Sequence, residues 1–320
     1  MRAVGYARTG GPEVLEPVEV PTPEPGHGQV LIKVAYAGVN FAEIMLRRGE
    51  FGAPDGITVP GLEVSGEVAE LGAGVTGLSV GQPVAGLTHT AIGATGGYAE
   101  YAVVPAGFVY PLGEVDLASG AALPCVVTTA YALLTRANLT ADETVLIHGA
   151  AGAVGSVAGQ IARALGAGTV LGTVGSAAKL GAPKGYDRVL LRADFAAELG
   201  PDSVDIALDG VGGPTREASL DVLKPLGRLV VFGNAGSFPD AGISSARVWR
   251  NTLSVVGYAI GPLATTRPDV VRAQALAARD LLRDGQVRIE ISDILPLTAA
   301  AEAHRSIESG ASQGKLLLRM

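Results

Sequence analysis

The sequence predicts an α/β fold in which a doubly wound parallel sheet is inserted into a β-rich, barrel-like domain. Three observations predict it. Residues 144–232 alternate short apolar runs with helical stretches, the pattern of a parallel sheet with right-handed crossovers. Residues 1–118 carry short strand-like runs broken by glycine and proline. After residue 257 the chain returns to helix and strand patterns that complete the first domain. The predicted division is 1–118 plus 257–320 for the β-rich domain and 119–256 for the parallel sheet.

Composition narrows the class. A chain of 320 residues is long enough for one large or two ordinary domains. With 48% hydrophobic residues, 5% aromatics and 45 glycines, it suits a strand-rich α/β enzyme with many tight turns and argues against disorder. A net charge of −7, with no basic run, gives no electrostatic reason to approach nucleic acid or an anionic membrane. No stretch reaches the ~18 apolar residues of a spanning helix. The start, Met1-Arg2-Ala3-Val4-Gly5-Tyr6, reads as a strand rather than a signal peptide. Cys125 is the lone cysteine, so neither an intrachain disulfide nor a thiolate cluster for zinc can form. The expectation is a soluble cytoplasmic protein.

In order along the chain, a Pro/Glu-rich segment (13–25) precedes a strand at 28–36, where Val30, Ile32 and Val34 share one face. A short helix is expected at 42–47. Strands at 64–71 and 82–86 are divided by Gly72, Gly74 and Gly77. A helix is expected over 118–138, then strand 144–148, helix 153–165, strands 169–173, 188–191 and 204–208, helix 215–223 and strand 228–232. Helix 269–284, strand 287–294, helix 299–309 and strand 315–319 end the chain.

Thr144-Val145-Leu146-Ile147-His148 runs directly into Gly149-Ala150-Ala151-Gly152-Ala153-Val154-Gly155 and then an amphipathic helix. In a G-x-G-x-x-G loop, small residues let the backbone approach a pyrophosphate resting on helix N-terminal amides. Here Ala150 takes the first position, with Gly152 and Gly155 at the others. Alone such a loop is a weak signal; between a strand and a helix of a βαβ array it is strong. The end of the second strand chooses the cofactor. Binders of NAD place a carboxylate there, about 20 residues on. This chain reads Thr173-Val174-Gly175-Ser176-Ala177-Ala178-Lys179, with no acid before Asp187. Hydroxyl, amides and lysine attract a 2′-phosphate, so NADPH is expected. Lys179 reads equally as a solvated helix lysine, and its place just after the turn tips the balance.

At this point the chain resembles the medium-chain dehydrogenase/reductases, and within them the zinc-independent quinone oxidoreductases related to zeta-crystallin. The resemblance rests on Pro25-Gly26-His27-Gly28-Gln29-Val30, Ala37-Gly38-Val39-Asn40-Phe41-Ala42-Glu43, Gly61-Leu62-Glu63-Val64-Ser65-Gly66, Thr129-Ala130-Tyr131, the glycine loop, Phe232-Gly233-Asn234-Ala235 and Gln313-Gly314-Lys315. It implies a Rossmann sheet inserted in a GroES-like barrel. Where the zinc branch carries its ligands, this chain has Asn40, Leu62 and a position at or near Cys125, so no metal is expected. The resemblance places Asn40 and Thr129 beside the nicotinamide, and Gly175, Ser176 and Lys179 at the 2′-phosphate. Arg192 stands where relatives have a tyrosine, and Phe232, Gly233 and Asn234 line the cofactor. Bland alternatives stand beside these roles: Asn40 as a helix cap, Thr129 bonding within its helix, Arg192 as a surface charge. The resemblance also implies a homodimer through the edge strand near 253–256.

Met45 and Phe51 occupy substrate-pocket positions where some relatives have tyrosines, so no phenolic proton donor is evident. Tyr98, Tyr101 and Tyr131 read as packing residues, and His148 as a structural one. The expected activity is zinc-free, NADPH-dependent hydride transfer to a small quinone or α,β-unsaturated carbonyl. The alternatives are an enoyl-thioester reductase of fatty-acid or polyketide metabolism, and a non-catalytic NADPH-binding protein.

Overall fold

The computed structural model describes residues 1–236, 238–239 and 242–320. The chain divides into two compact units, Met1–Thr128 with Gly261–Met320, and Thr129–Ile260.

The first unit opens with β1 (Arg2–Gly5), β2 (Glu16–Glu19), β3 (Gln29–Val39), α1 (Phe41–Arg48), β4 (Glu63–Leu71), β5 (Pro83–Leu87), β6 (Tyr101–Pro105), β7 (Val109–Pro111) and α2 (Leu117–Gly120). The second holds most of α3 (Thr128–Arg136), then β8 (Thr144–His148), α4 (Ala153–Ala164), β9 (Thr169–Val174), β10 (Arg188–Leu191), α5 (Phe195–Leu199), β11 (Val204–Asp209), α6 (Pro214–Val222), β12 (Leu223–Val231), α7 (Ser245–Arg250) and β13 (Ser254–Gly257). The chain returns to the first unit through α8 (Ile260–Thr266), α9 (Pro268–Arg283), β14 (Ile291–Pro296), α10 (Ala300–Glu308) and β15 (Lys315–Arg319).

In the first unit the strand order is β14-β15-β3-β4-β5-β7, with β6 also paired to β3. Period-two patterning sets its faces: Val30 and Ile32 are fully buried and Lys33 is exposed. β3 runs three residues past the 36 read from local pattern, because Tyr36–Val39 pair antiparallel with Leu316–Arg319. That pairing joins residues some 280 apart, so no local signal announces it. It brings the start of β15 beside the residue that follows β3, Asn40.

The second unit is a six-stranded parallel sheet ordered β10-β9-β8-β11-β12-β13, a 3-2-1-4-5-6 arrangement whose order reverses between β8 and β11. Leu146, Phe195, Val204, Leu220 and Leu229 fill its core. His148 is structural, bonding Thr173 Oγ1 and Ser219 Oγ at 2.8 Å each through its two ring nitrogens. Burial lowers it to about 4, so the ring stays neutral.

Two expectations are corrected. The helix read over 118–138 is three pieces: α2, a π-helical turn at Leu123–Val127, and α3. Pro124 has no amide to donate and breaks the ladder. The strand expected over 287–294 is β14, which begins at Ile291. The compact units meet at 128/129 and 260/261, beside the expected 118/119 and 256/257; at the first, α2 and the π turn pack on β4, β5 and α9. Among the described residues no helix is long and apolar enough to cross a membrane.

Candidate cofactor and active site

In the second unit, β8 ends in a turn that Gly149 makes at φ 70°, a left-handed value that favours glycine. Ala150 N donates to Thr173 O at 2.9 Å and Gly152 N to Gly149 O at 2.8 Å, folding the loop back before α4. A Cβ at Gly155 would lie 2.2 Å from Gly149 O, and one at Gly152 3.2 Å from it. Gly152 caps α4, and among the described residues no side chain is seen to take the first-turn amides. Those amides and the twelve-residue helix behind them suit an anion. Ala150 replaces the first glycine without strain because Gly172 opposite leaves room: a Cβ there would lie 2.7 Å from that of Ala150. Tyr186, which the sequence did not flag, donates its hydroxyl to Gly155 O at 2.5 Å and lays its ring on Gly159 and Gly172.

At the end of β9, Gly175 and Ser176 are exposed. Arg192 N donates to Val174 O at 2.8 Å, which sets its guanidinium beside Gly175, where a Cβ would be 3.1 Å from Nη2. Among the described residues that guanidinium has no ion pair or hydrogen bond. Lys179 is half-buried, and burial lowers its pKa. Asp187 is turned elsewhere, its Oδ2 accepting from Val170 N at 2.8 Å and pairing with Arg163. The loop after β11 is held by Asp209, fully buried, which accepts from Val211 N (2.8 Å), Gly212 N (3.0 Å) and Arg216 Nε (2.7 Å). Phe232 covers Gly210, and Gly233 O accepts from Arg216 at 2.7 Å. The Asn234 amide closes its own loop, donating to Phe238 O at 2.7 Å. Thr129 is nearly buried, and no bond of its hydroxyl within α3 is seen, unlike Thr135.

In the first unit, Asn40 caps α1 and is half-buried. Around it lies a polar cluster that sequence reading did not assemble. Lys315 Nζ donates to Asn40 Oδ1 at 2.6 Å and Val39 O at 2.9 Å, and pairs with Glu63 Oε1 at 2.6 Å. Asn40 Nδ2 donates to Glu63 Oε1 at 3.1 Å and Glu43 Oε1 at 3.3 Å. Glu43 also accepts from Leu62 N and Asn40 N at 2.9 Å each, and Glu63 Oε2 from Cys125 N at 2.9 Å. Glu43 and Glu63 are fully buried and Lys315 is 1% exposed. Burial lifts the Glu43 carboxyl to about 7, against the lowering pull of Lys315 and of the Leu62 amide. The only hint in sequence was Asn40-x-x-Glu43, a capping-box spacing, and a lysine opening the leucine run Leu316-Leu317-Leu318.

These residues do not fit zinc. Leu62 offers no donor atom, burial holds the Cys125 thiol protonated, and an ammonium already sits on the Asn40 oxygen. Met45 is half-buried on α1, and Phe51 just beyond it is 67% exposed, so an apolar surface flanks Asn40 in sequence. Tyr98 is fully buried with its hydroxyl against His304 Nε2 at 3.1 Å, in keeping with a packing role.

Residues 26–114 match the model for the alcohol dehydrogenase GroES-like domain, and residues 180–318 that for a zinc-binding dehydrogenase. The chain is 34% identical to a quinone oxidoreductase of Pseudomonas aeruginosa, covering 99% of both chains. It is 30% identical to an acryloyl-coenzyme A reductase of Metallosphaera sedula, over 94% of this chain and 95% of that one. The fold superposes on the Escherichia coli quinone oxidoreductase complexed with NADPH with a TM-score of 0.88, at 29% identity and full coverage of both chains. A GroES-like unit, a 3-2-1-4-5-6 sheet with its glycine loop, and full-length likeness at this level lead to one assignment: the chain belongs to the zinc-independent quinone oxidoreductase family of the medium-chain dehydrogenase/reductases.

Proposed function

We propose that the chain is an NADPH-dependent reductase acting on quinones or α,β-unsaturated carbonyls. The observation that carries this reading is the Arg192 guanidinium beside Gly175, without a partner among the described residues, at a strand end whose next carboxylate, Asp187, is taken by Val170 N and Arg163. It supports a 2′-phosphate there, and the uncapped first turn of α4 supports a pyrophosphate. When bound, the dihydronicotinamide supplies a hydride. The protein's part is to hold and orient: residues 151–155 at the pyrophosphate, Gly175, Ser176, Lys179 and Arg192 at the 2′-phosphate, Phe232, Gly233 and Asn234 along the cofactor, Asn40 and Thr129 at its nicotinamide end. Met45 and Phe51 provide an apolar surface without a phenol. An acceptor that spreads new negative charge onto oxygen takes its proton from water, so quinones and enones need no buried acid.

The quinone oxidoreductases among the relatives support this choice, while the acryloyl-coenzyme A reductase supports a second reading, reduction of enoyl thioesters. A panel decides between them. NADPH consumption should be at least about tenfold more efficient (kcat/KM) with small quinones or enones than with crotonyl-CoA, a difference of roughly 1.4 kcal/mol in transition-state stabilisation. The reverse order makes the chain a thioester reductase, and tight NADPH binding with no turnover makes it a non-catalytic binder. The same reading places the protein in the cytoplasm as a homodimer through β13, an edge strand of its sheet with Val255 exposed.

A further inference from the structure

The Asn40 side chain has two chemically different ends, and its neighbours decide which end faces which way. An ammonium only donates and a carboxylate only accepts. Lys315 Nζ therefore fixes Oδ1 towards itself at 2.6 Å, and the two hydrogens of Nδ2 are taken by Glu63 and Glu43 at 3.1 and 3.3 Å. Flipping the amide would set NH2 against an ammonium and a carbonyl oxygen against two carboxylates. Lys315 is itself held by Glu63 and by Val39 O, and is almost wholly buried, so it has no alternative solvent-facing position. With both N–H groups spent, any bond that half-buried Asn40 makes to a ligand is one that Oδ1 accepts.

We propose that Lys315 is a positioning residue: by fixing the amide of Asn40, it makes that side chain a hydrogen-bond acceptor for an N–H or O–H donor at the nicotinamide end of the cofactor. The inference rests on the reading that Asn40 serves that end, and it adds the direction of the hydrogen bond and the group that enforces it. Two donors have this chemistry, the carboxamide NH2 and a ribose hydroxyl.

Binding, rather than turnover, tests it. Affinities of NADP⁺, its 3-acetylpyridine analogue (which lacks the carboxamide N–H) and adenosine 2′,5′-bisphosphate are measured for wild type, Asn40→Ala, Lys315→Met, Lys315→Arg and the Asn40→Ala/Lys315→Met double variant. Lys315→Met is expected to lower NADP⁺ affinity by about tenfold, as for one lost charge-supported hydrogen bond. The bisphosphate, which lacks the nicotinamide half, should bind unchanged, a split that a general loss of fold would not give. Lys315→Arg should restore most of the loss, and the double variant should be no worse than Asn40→Ala. If the carboxamide is the donor, the acetylpyridine analogue binds wild type and Lys315→Met alike; if a ribose hydroxyl is, it follows NADP⁺. Normal NADP⁺ affinity in Lys315→Met with a loss in Asn40→Ala overturns the role of Lys315 alone. Normal affinity in Asn40→Ala overturns the placement of Asn40 and the inference with it. Should Lys315→Met fail to fold, Glu63→Gln, which frees the ammonium from its carboxylate, is held to the same NADP⁺-against-bisphosphate split.

Discussion

Gly155→Val is expected to lower NADPH affinity by at least about a hundredfold, the equivalent of roughly 2.7 kcal/mol. The added Cβ would sit 2.2 Å from Gly149 O and 2.8 Å from Ala150 Cα, backbone atoms that cannot swing aside as a side-chain tip can. The loop has to open, which pulls the first-turn amides of α4 away from the pyrophosphate proposed to rest on them. The sheet core of Leu146, Phe195 and Leu229 lies apart from that contact, so far-UV circular dichroism should hardly change. Fluorescence titration with NADPH measures the effect, and an affinity within threefold of wild type would refute the role of the loop.

Glu63→Ala is expected to cost about 3–5 kcal/mol of stability, the range for removing one partner of a buried ion pair. Lys315, 1% exposed, would keep only two neutral oxygens as partners, and the Cys125 and Val126 amides would lose their common acceptor. Calorimetry should show the melting temperature falling on the order of 10 °C. Glu63→Gln keeps an acceptor for those amides and should lose less. A fall of under about 2 °C for Glu63→Ala would mean the cluster relaxes or hydrates freely, and would remove the basis for a rigid Asn40.

Much of this was legible from residues alone. Strand, glycine loop and helix are contiguous between Thr144 and Ala164, so local pattern placed them nearly to the residue. The turn at Gly175 and Ser176 that ends β9 follows by simple counting from that loop. What sequence could not supply was anything made by distant pairing. Lys315 reaches Asn40 only because β15 lies against the end of β3. Tyr186 reaches Gly155 only because Gly159 and Gly172 lack side chains between them. Asn40 was legible as a candidate and as a cap, and its chemical polarity came only with its three charged neighbours. Asn234 shows the opposite case, since its amide is committed to Phe238 in its own loop. The helix over 118–138 failed for a local reason that was visible, Pro124.

The 2′-phosphate site proposed at Gly175, Ser176, Lys179 and Arg192 underlies the whole functional reading. Parallel calorimetric titrations of the wild-type chain with NADPH and NADH examine it without any assumption about the substrate. NADPH should bind at least about a hundredfold more tightly, as for a doubly charged group held by a guanidinium and an ammonium, and Arg192→Ala should narrow the gap by about tenfold while leaving NADH unchanged. Equal affinity for the two dinucleotides, or an Arg192→Ala variant that weakens both alike, would contradict it.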